Sequence, residues 1–180
     1  SLICLLCVCL AAISFYKNYR NKKRDNLLLI DKNTQIEEQK EILAEKNKEI
    51  LDSITYAKRL QQAILPPQSY IDRYFPDNFV LYKPKDIVAG DFYWMHVSGD
   101  MKYMAAADST GHGVPGAMVS IVCSNALDKA VKEFKLTDTG KILDKTRELV
   151  LETFEKSTND VKDGMDISLV VIDKTNKTIS

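Results

Sequence analysis

The 180-residue chain carries 25 basic and 25 acidic side chains, so its formal charge is zero and it lacks the net basic face of a general nucleic-acid binder. An apolar content of 45% is ordinary for a globular protein, and the length suits one domain with an appendage. Its four cysteines imply no disulfide framework: Cys4, Cys7 and Cys9 sit in one apolar stretch, and Cys123 stands alone in an apolar helical pattern that marks it as core.

From Leu2 to Tyr16 there is no charge. The stretch is shorter than the roughly 20 residues that span a bilayer. It reads as the C-terminal part of a transmembrane helix over residues 1–17. Lys17, Arg20, Lys22, Lys23 and Arg24 follow directly, and basic flanks stay on the cytoplasmic side. No basic segment precedes the stretch and no small-residue cleavage site is evident, which argues against a signal peptide. The alternative is a buried helix of an upstream domain.

Residues 18–65 read as a basic juxtamembrane segment and a coiled-coil helix. There is no Gly or Pro from 25 to 65, and Leu29, Ile36, Leu43, Ile50, Ala57 and Ile64 recur every seventh position. The second seam, Asn33, Lys40, Asn47, Ile54 and Gln61, is mostly polar, as expected of a modest parallel two-stranded coil that pairs as a homodimer. A single helix packed on its own domain is the alternative. Pro66-Pro67 ends it.

Residues 66–180 change character. Asn78 to Tyr82 and Ile87 to Val97 are rich in β-branched and aromatic residues, Ser98-Gly99-Asp100 signals a turn, and Met101 to Ala107 is a further apolar strand. Residues 87–107 therefore form a hairpin whose pairing brings Asp91 and Asp108 together. Pro115 opens a helix running to about Phe134. Thr137-Asp138-Thr139 caps another, with Ile142, Leu143, Leu149, Val150 and Phe154 on its buried face. A polar loop over 157–163, a strand over Asp166 to Asp173, a turn, and a strand starting at Thr178 complete the pattern.

The chemistry concentrates in Ala89-Gly90-Asp91-Phe92-Tyr93 and in Asp108-Ser109-Thr110-Gly111-His112-Gly113-Val114-Pro115-Gly116. Each is an apolar run ending on an aspartate beside glycine, which suits oxygen ligation of a hard cation. A glycine turn in which Asp108 caps the next helix is the plainer alternative. No Lys-Ser/Thr follows the glycines, so this is not a P-loop. His112 reads as a ligand, an acid or a turn residue, and with His96 it lacks zinc spacing. Asp86 and Asp100 read as turn residues. Asp163-Gly164-Met165-Asp166 reads as an acidic turn, with Asp166 as a further oxygen ligand in the less favoured alternative. No Ser-His-Asp arrangement or Gly-x-Ser-x-Gly elbow is present.

With Ser53-Ile54-Thr55-Tyr56-Ala57-Lys58-Arg59-Leu60-Gln61-Gln62-Ala63-Ile64-Leu65-Pro66, these two segments resemble the SpoIIE-type branch of the metal-dependent (PPM) serine/threonine protein phosphatases, from about Ser53 to Ser180. The resemblance implies an α+β fold, a PPM-type β-sandwich flanked by helices, of which residues 66–180 are the N-terminal portion. It implies two Mn²⁺ or Mg²⁺ ions and a metal-activated water that hydrolyses phosphoserine or phosphothreonine. Asp91 and Asp108 would be metal ligands and catalytic, with the backbone carbonyl of Ser109 also on metal. The family's other metal aspartates lie beyond Ser180, so the chain by itself is expected to bind metal poorly. Asp166 stands where many relatives carry an apolar residue. The substrates implied are phosphoproteins such as anti-sigma-factor antagonists. The setting implied is bacterial signal transduction at the inner (cytoplasmic) membrane, with the catalytic domain in the cytoplasm and the helix around Tyr56 to Ile64 as a switch. A non-catalytic relay or binding module is the competing reading.

Overall fold

A computed structural model of the chain describes residues 2–155 and 163–180. The expected loop over 157–163 thus lies outside the described residues except for Asp163. Contacts divide the chain into two compact units, Ser1–Leu51 and Asp52–Ser180.

The first unit is part of helix α1 (Leu2–Ile64), continuous because no glycine or proline interrupts it. Exposed pairs such as Lys40–Glu37 (2.7 Å) and Lys46–Glu49 (2.8 Å) add only tenths of a kcal/mol each, about 0.2–0.5. Leu29, Ile36, Leu43 and Ile50 are 59%, 47%, 61% and 55% exposed, an apolar stripe along this part of the helix. Among the described residues, no helix is long and apolar enough to cross a membrane.

In the second unit the same helix behaves differently. Ile54, Ala57, Gln61 and Ile64, spaced by three and four residues, are half-buried or buried. The last turns of α1 therefore pack on their own domain, as the single-helix alternative supposed. Gln61, expected in the polar seam of a coil, is instead 4% exposed. After the prolines, a short helix α2 (Gln68–Tyr74) places Ile71 in the interior.

Four antiparallel strands, β1 (Phe92–Ser98), β2 (Met101–Ser109), β3 (Met165–Asp173) and β4 (Thr178–Ile179), form one sheet in that order. Between β2 and β3 run helix α3 (Gly113–Asp128), a π-helical turn (Lys129–Glu133) and helix α4 (Thr139–Glu155). Strand alternation builds the core. Phe92, Trp94, Tyr103, Ala105, Ala107 and Val171 share one face of the sheet and pack with Val119, Cys123, Leu127, Ile142 and Val150 of the helices.

The expected α+β class holds, but the described residues make one sheet rather than two. Asn78 to Tyr82, patterned like a strand, pairs with none, and Phe79 and Leu81 are 88% and 84% exposed. Its composition suits a pleated surface, but a strand also needs a partner for its backbone groups. Likewise β1 begins at Phe92, not Ile87.

The expected cap on α4 is present: Asp138 accepts the Lys141 backbone N–H at 2.9 Å. Asp138→Ala is expected to destabilise the domain by about 1 kcal/mol, read as a lower urea midpoint with unchanged slope.

Candidate metal centre

The site is built by register. Phe92 pairs with Ala107, so Asp91, one residue earlier, stands across from Asp108. Asp108 in turn pairs with Asp166 on β3. Paired residues in antiparallel strands face the same side, so all three carboxylates point away from the helices. They line a cleft of about 780 Å³ together with Tyr82, Lys83 and Ser168. Asp166 is therefore not a turn residue. It sits one step inside β3, where pairing with Asp108 settles its face, whereas Asp163 orders the turn before the strand.

The Asp91 carboxyl lies above its ordinary range, first because of burial, then because of a side-chain hydrogen bond to Asp108 and the charge of Asp108. Like charges facing each other across a strand pair favour a cation between them. Among the described residues, no three His, Cys, Asp or Glu side chains close on one point as a finished metal cage. The donor set still fits Mg²⁺ or Mn²⁺. Both take oxygen ligands, and Mg²⁺ in particular keeps several waters and is held by one or two carboxylates.

Ser109, expected beside the metal through its carbonyl, is 2% exposed. Its hydroxyl donates to the carbonyls of Gly90 (2.5 Å) and Gly116 (3.2 Å), tying both aspartate segments to the start of α3. The packing is tight: a Cβ on Gly90 would lie 2.8 Å from the carbonyl oxygens of both Ser109 and Gly111, which are backbone atoms that cannot swing aside. Gly90→Ala is thus expected to destabilise the domain by roughly 1–3 kcal/mol, seen as a fall in Tm of the isolated chain.

His112 occupies the position preceding α3 in extended conformation (φ −132°), without a side-chain capping bond. Asp108 is therefore not the helix cap. The imidazole is 86% exposed, with Nδ1 3.4 Å from Oδ2 of Asp86, which lies in a bend. Gly111 (φ +88°) and Gly113 (φ +61°) adopt left-handed backbone that turns β2 into the helix, and Pro115 falls in its first turn. His96 lies on the helix-facing side of the sheet, opposite the aspartates. Burial, then Lys132, lowers its pKa. Asp100 is a turn residue as expected, accepting from Thr175 Oγ1 at 3.0 Å.

Three supports escaped the sequence reading. The Gln61 amide grips Ala89 on both sides: its Oε1 accepts the Ala89 N–H at 3.0 Å and its Nε2 donates to the Ala89 carbonyl. Nε2 also reaches Ser120 Oγ at 3.0 Å. Thr110 fastens the turn after Asp108 to the start of β3: its N–H donates to the Gly164 carbonyl (2.9 Å), and its hydroxyl donates to Asp163 Oδ1 (2.9 Å) and accepts from the Gly164 N–H (3.1 Å). Tyr82 donates its hydroxyl to the Asp91 carbonyl at 3.1 Å. The signal for Gln61 was a polar side chain among Ile54, Ala57 and Ile64 on one helical face. Thr110 and Tyr82 carried none.

No family model matches the chain, and no curated protein matches it. Among solved structures, it is similar to the SiaA-PP2C domain of Pseudomonas aeruginosa, with 32% identity and a TM-score of 0.63. The match covers 71% of this chain and 50% of that one, so the chain spans about half the length of the structure it resembles. The shared architecture supports a PP2C (PPM-type) phosphatase fold.

Proposed function

We propose that this chain belongs to a metal-dependent protein phosphatase of the SpoIIE type that hydrolyses phosphoserine or phosphothreonine in a partner protein. The observation that carries the reading is the facing pair Asp91 and Asp108 at the end of the first hairpin, in a chain similar to a PP2C domain. Asp91, Asp108 and the Ser109 carbonyl would hold two Mn²⁺ or Mg²⁺ ions. Bound there, such cations activate water and neutralise charge growing on the phosphoryl oxygens. The chain's own part is positional. The β1–β2 register sets the spacing of the two carboxylates, Ser109 and Thr110 hold the loop that carries Asp108, and Gln61 holds the backbone ahead of Asp91.

The apolar run from Leu2 to Tyr16 and the basic residues after it support tethering at the cytoplasmic membrane, with the catalytic part in the cytoplasm. A phosphorylated anti-sigma-factor antagonist is the substrate class that the resemblance suggests. The test is Mn²⁺-dependent release of phosphate from a phosphoserine protein by the full-length enzyme. Hydrolysis lost with chelator is expected. Hydrolysis that persists with Asp91→Ala would remove the assignment.

Control would pass along α1. The exposed stripe of Leu29, Ile36, Leu43 and Ile50 favours pairing with a second copy of the helix. Leu43→Glu with Ile50→Glu is expected to turn a dimer into a monomer in sedimentation equilibrium. An unchanged mass would place any dimer contact elsewhere.

A further inference from the structure

Helix α1 carries a charge step that phosphate hydrolysis does not use. Lys17, Arg20, Lys22, Lys23 and Arg24 fall in a stretch, 17–24, that holds no acid. From Asp25 to Asp52 the balance reverses, with eight acids against four cations. There Lys40 and Lys46 pair with Glu37 and Glu49. Among the described residues, none of the five earlier cations makes an ion pair. Arg20 instead sets its guanidinium 5.9 Å from the centre of the Tyr16 ring, one turn back.

The residues before this stretch are apolar on every side. Leu10, Ile13, Phe15 and Tyr16 are all exposed, and at about 3.6 residues per turn they point in different directions around the helix. A helix without a polar face does not lie flat on a surface; it enters apolar surroundings along its axis. Phe15, Tyr16 and Tyr19, all exposed, stand at the junction of apolar and basic residues. Rings of this kind settle at headgroup level, between hydrocarbon and water. The cations from Lys17 to Arg24 then span only about 10 Å of axis, roughly one Debye length. They too are spread around the helix, as a collar rather than a stripe.

We propose that Lys17, Arg20, Lys22, Lys23 and Arg24 bind the net negative headgroups of anionic phospholipids, where the apolar stretch of α1 enters a bilayer. The collar builds on tethering through Leu2 to Tyr16 and adds a choice of surface. A nucleic acid offers similar phosphates, but nothing to receive the apolar residues that abut the cations. Each cation near an anionic membrane is worth about a fivefold gain in binding.

The test offers the full chain neutral vesicles of phosphatidylcholine and anionic vesicles of phosphatidylglycerol together, loaded to float at separate densities, while aggregated protein sinks. At low salt the chain should favour the anionic vesicles by more than about 100-fold, and high salt should shrink that bias. Lys17→Gln with Arg20→Gln and Arg24→Gln keeps good helix formers and should take about 100-fold off the bias, three steps of about fivefold, while the chain still floats. The same exchange at Lys32, Lys46 and Lys48, further along α1, should leave the bias unchanged. An even division of the wild type, a bias that ignores salt or survives the first triple change, or an equal loss from the second would overturn the collar and leave the tether standing. A wild-type chain that floats with neither kind of vesicle would remove the tether and the collar with it. No readout depends on phosphatase activity.

Discussion

Gln61→Met is expected to cost about 2–4 kcal/mol of stability, because the near-isosteric side chain leaves the Ala89 N–H and carbonyl buried without partners, each worth roughly 1–3 kcal/mol when orphaned. Against a typical total of about 5–15 kcal/mol this is a large share, and it would appear as a lower urea midpoint. Gln61→Glu separates the two bonds. A carboxylate still accepts the Ala89 N–H but is set against the Ala89 carbonyl, so it should not rescue. The consequence reaches the candidate metal centre. Ala89 lies two residues before Asp91, and the intervening Gly90 is packed against Ser109 and Gly111. Loosening the grip frees the backbone that aims the Asp91 carboxylate, so metal-dependent activity should fall more steeply than stability alone explains. If Gln61→Met unfolds at the wild-type urea concentration, the amide grip holds nothing.

Asp108→Asn is expected to act in opposite directions on activity and on the metal-free fold. On the proposed ligand role, its loss should exceed the roughly 10–100-fold effect usual for groups one shell further out, leaving Mn²⁺-dependent phosphate release at 1% or less, about the upper end of that range or beyond. Without metal, the same change removes a charge facing Asp91, whose carboxyl is pushed up by burial, by the hydrogen bond to Asp108 and by that charge. The metal-free variant should therefore melt slightly higher than wild type, by differential scanning calorimetry, and gain less from added Mn²⁺. Equal stabilisation of both proteins by Mn²⁺ would show that Asp108 does not hold the ion. Asp166→Asn completes the comparison. It stands in the same row, so an effect on Mn²⁺ binding comparable to that of Asp108→Asn would add it to the ligand set.

Much of this site was legible in local sequence. The Ser98-Gly99-Asp100 turn, with Gly99 at φ +59°, sets the register of β1 against β2, and that register alone brings Asp91 opposite Asp108. Periodicity and capping likewise located α3 and α4, and Asp138 caps α4 as the pattern required. Errors came where composition was read without a partner. Asn78 to Tyr82 has strand-forming residues and no strand beside it. The heptad pattern of α1 runs unbroken through Gln61, yet the helix changes its cover at about residue 52, from an exposed stripe to the chain's own domain. Period alone does not say what a face is packed against.

The sequence by itself determined the hairpin, its facing aspartates and the helix that follows the glycine turn, because those features depend on residues within about twenty positions of one another. Only the tertiary structure decided the rest. Gln61 meets Ala89 across 28 residues, and Thr110 meets Asp163 across 53. Asp166 joins the acidic row only because β3 returns to pair with β2. Such contacts leave no periodic trace, since a single polar side chain at either end is chosen by the partner that packing delivers to it, not by its neighbours in the chain.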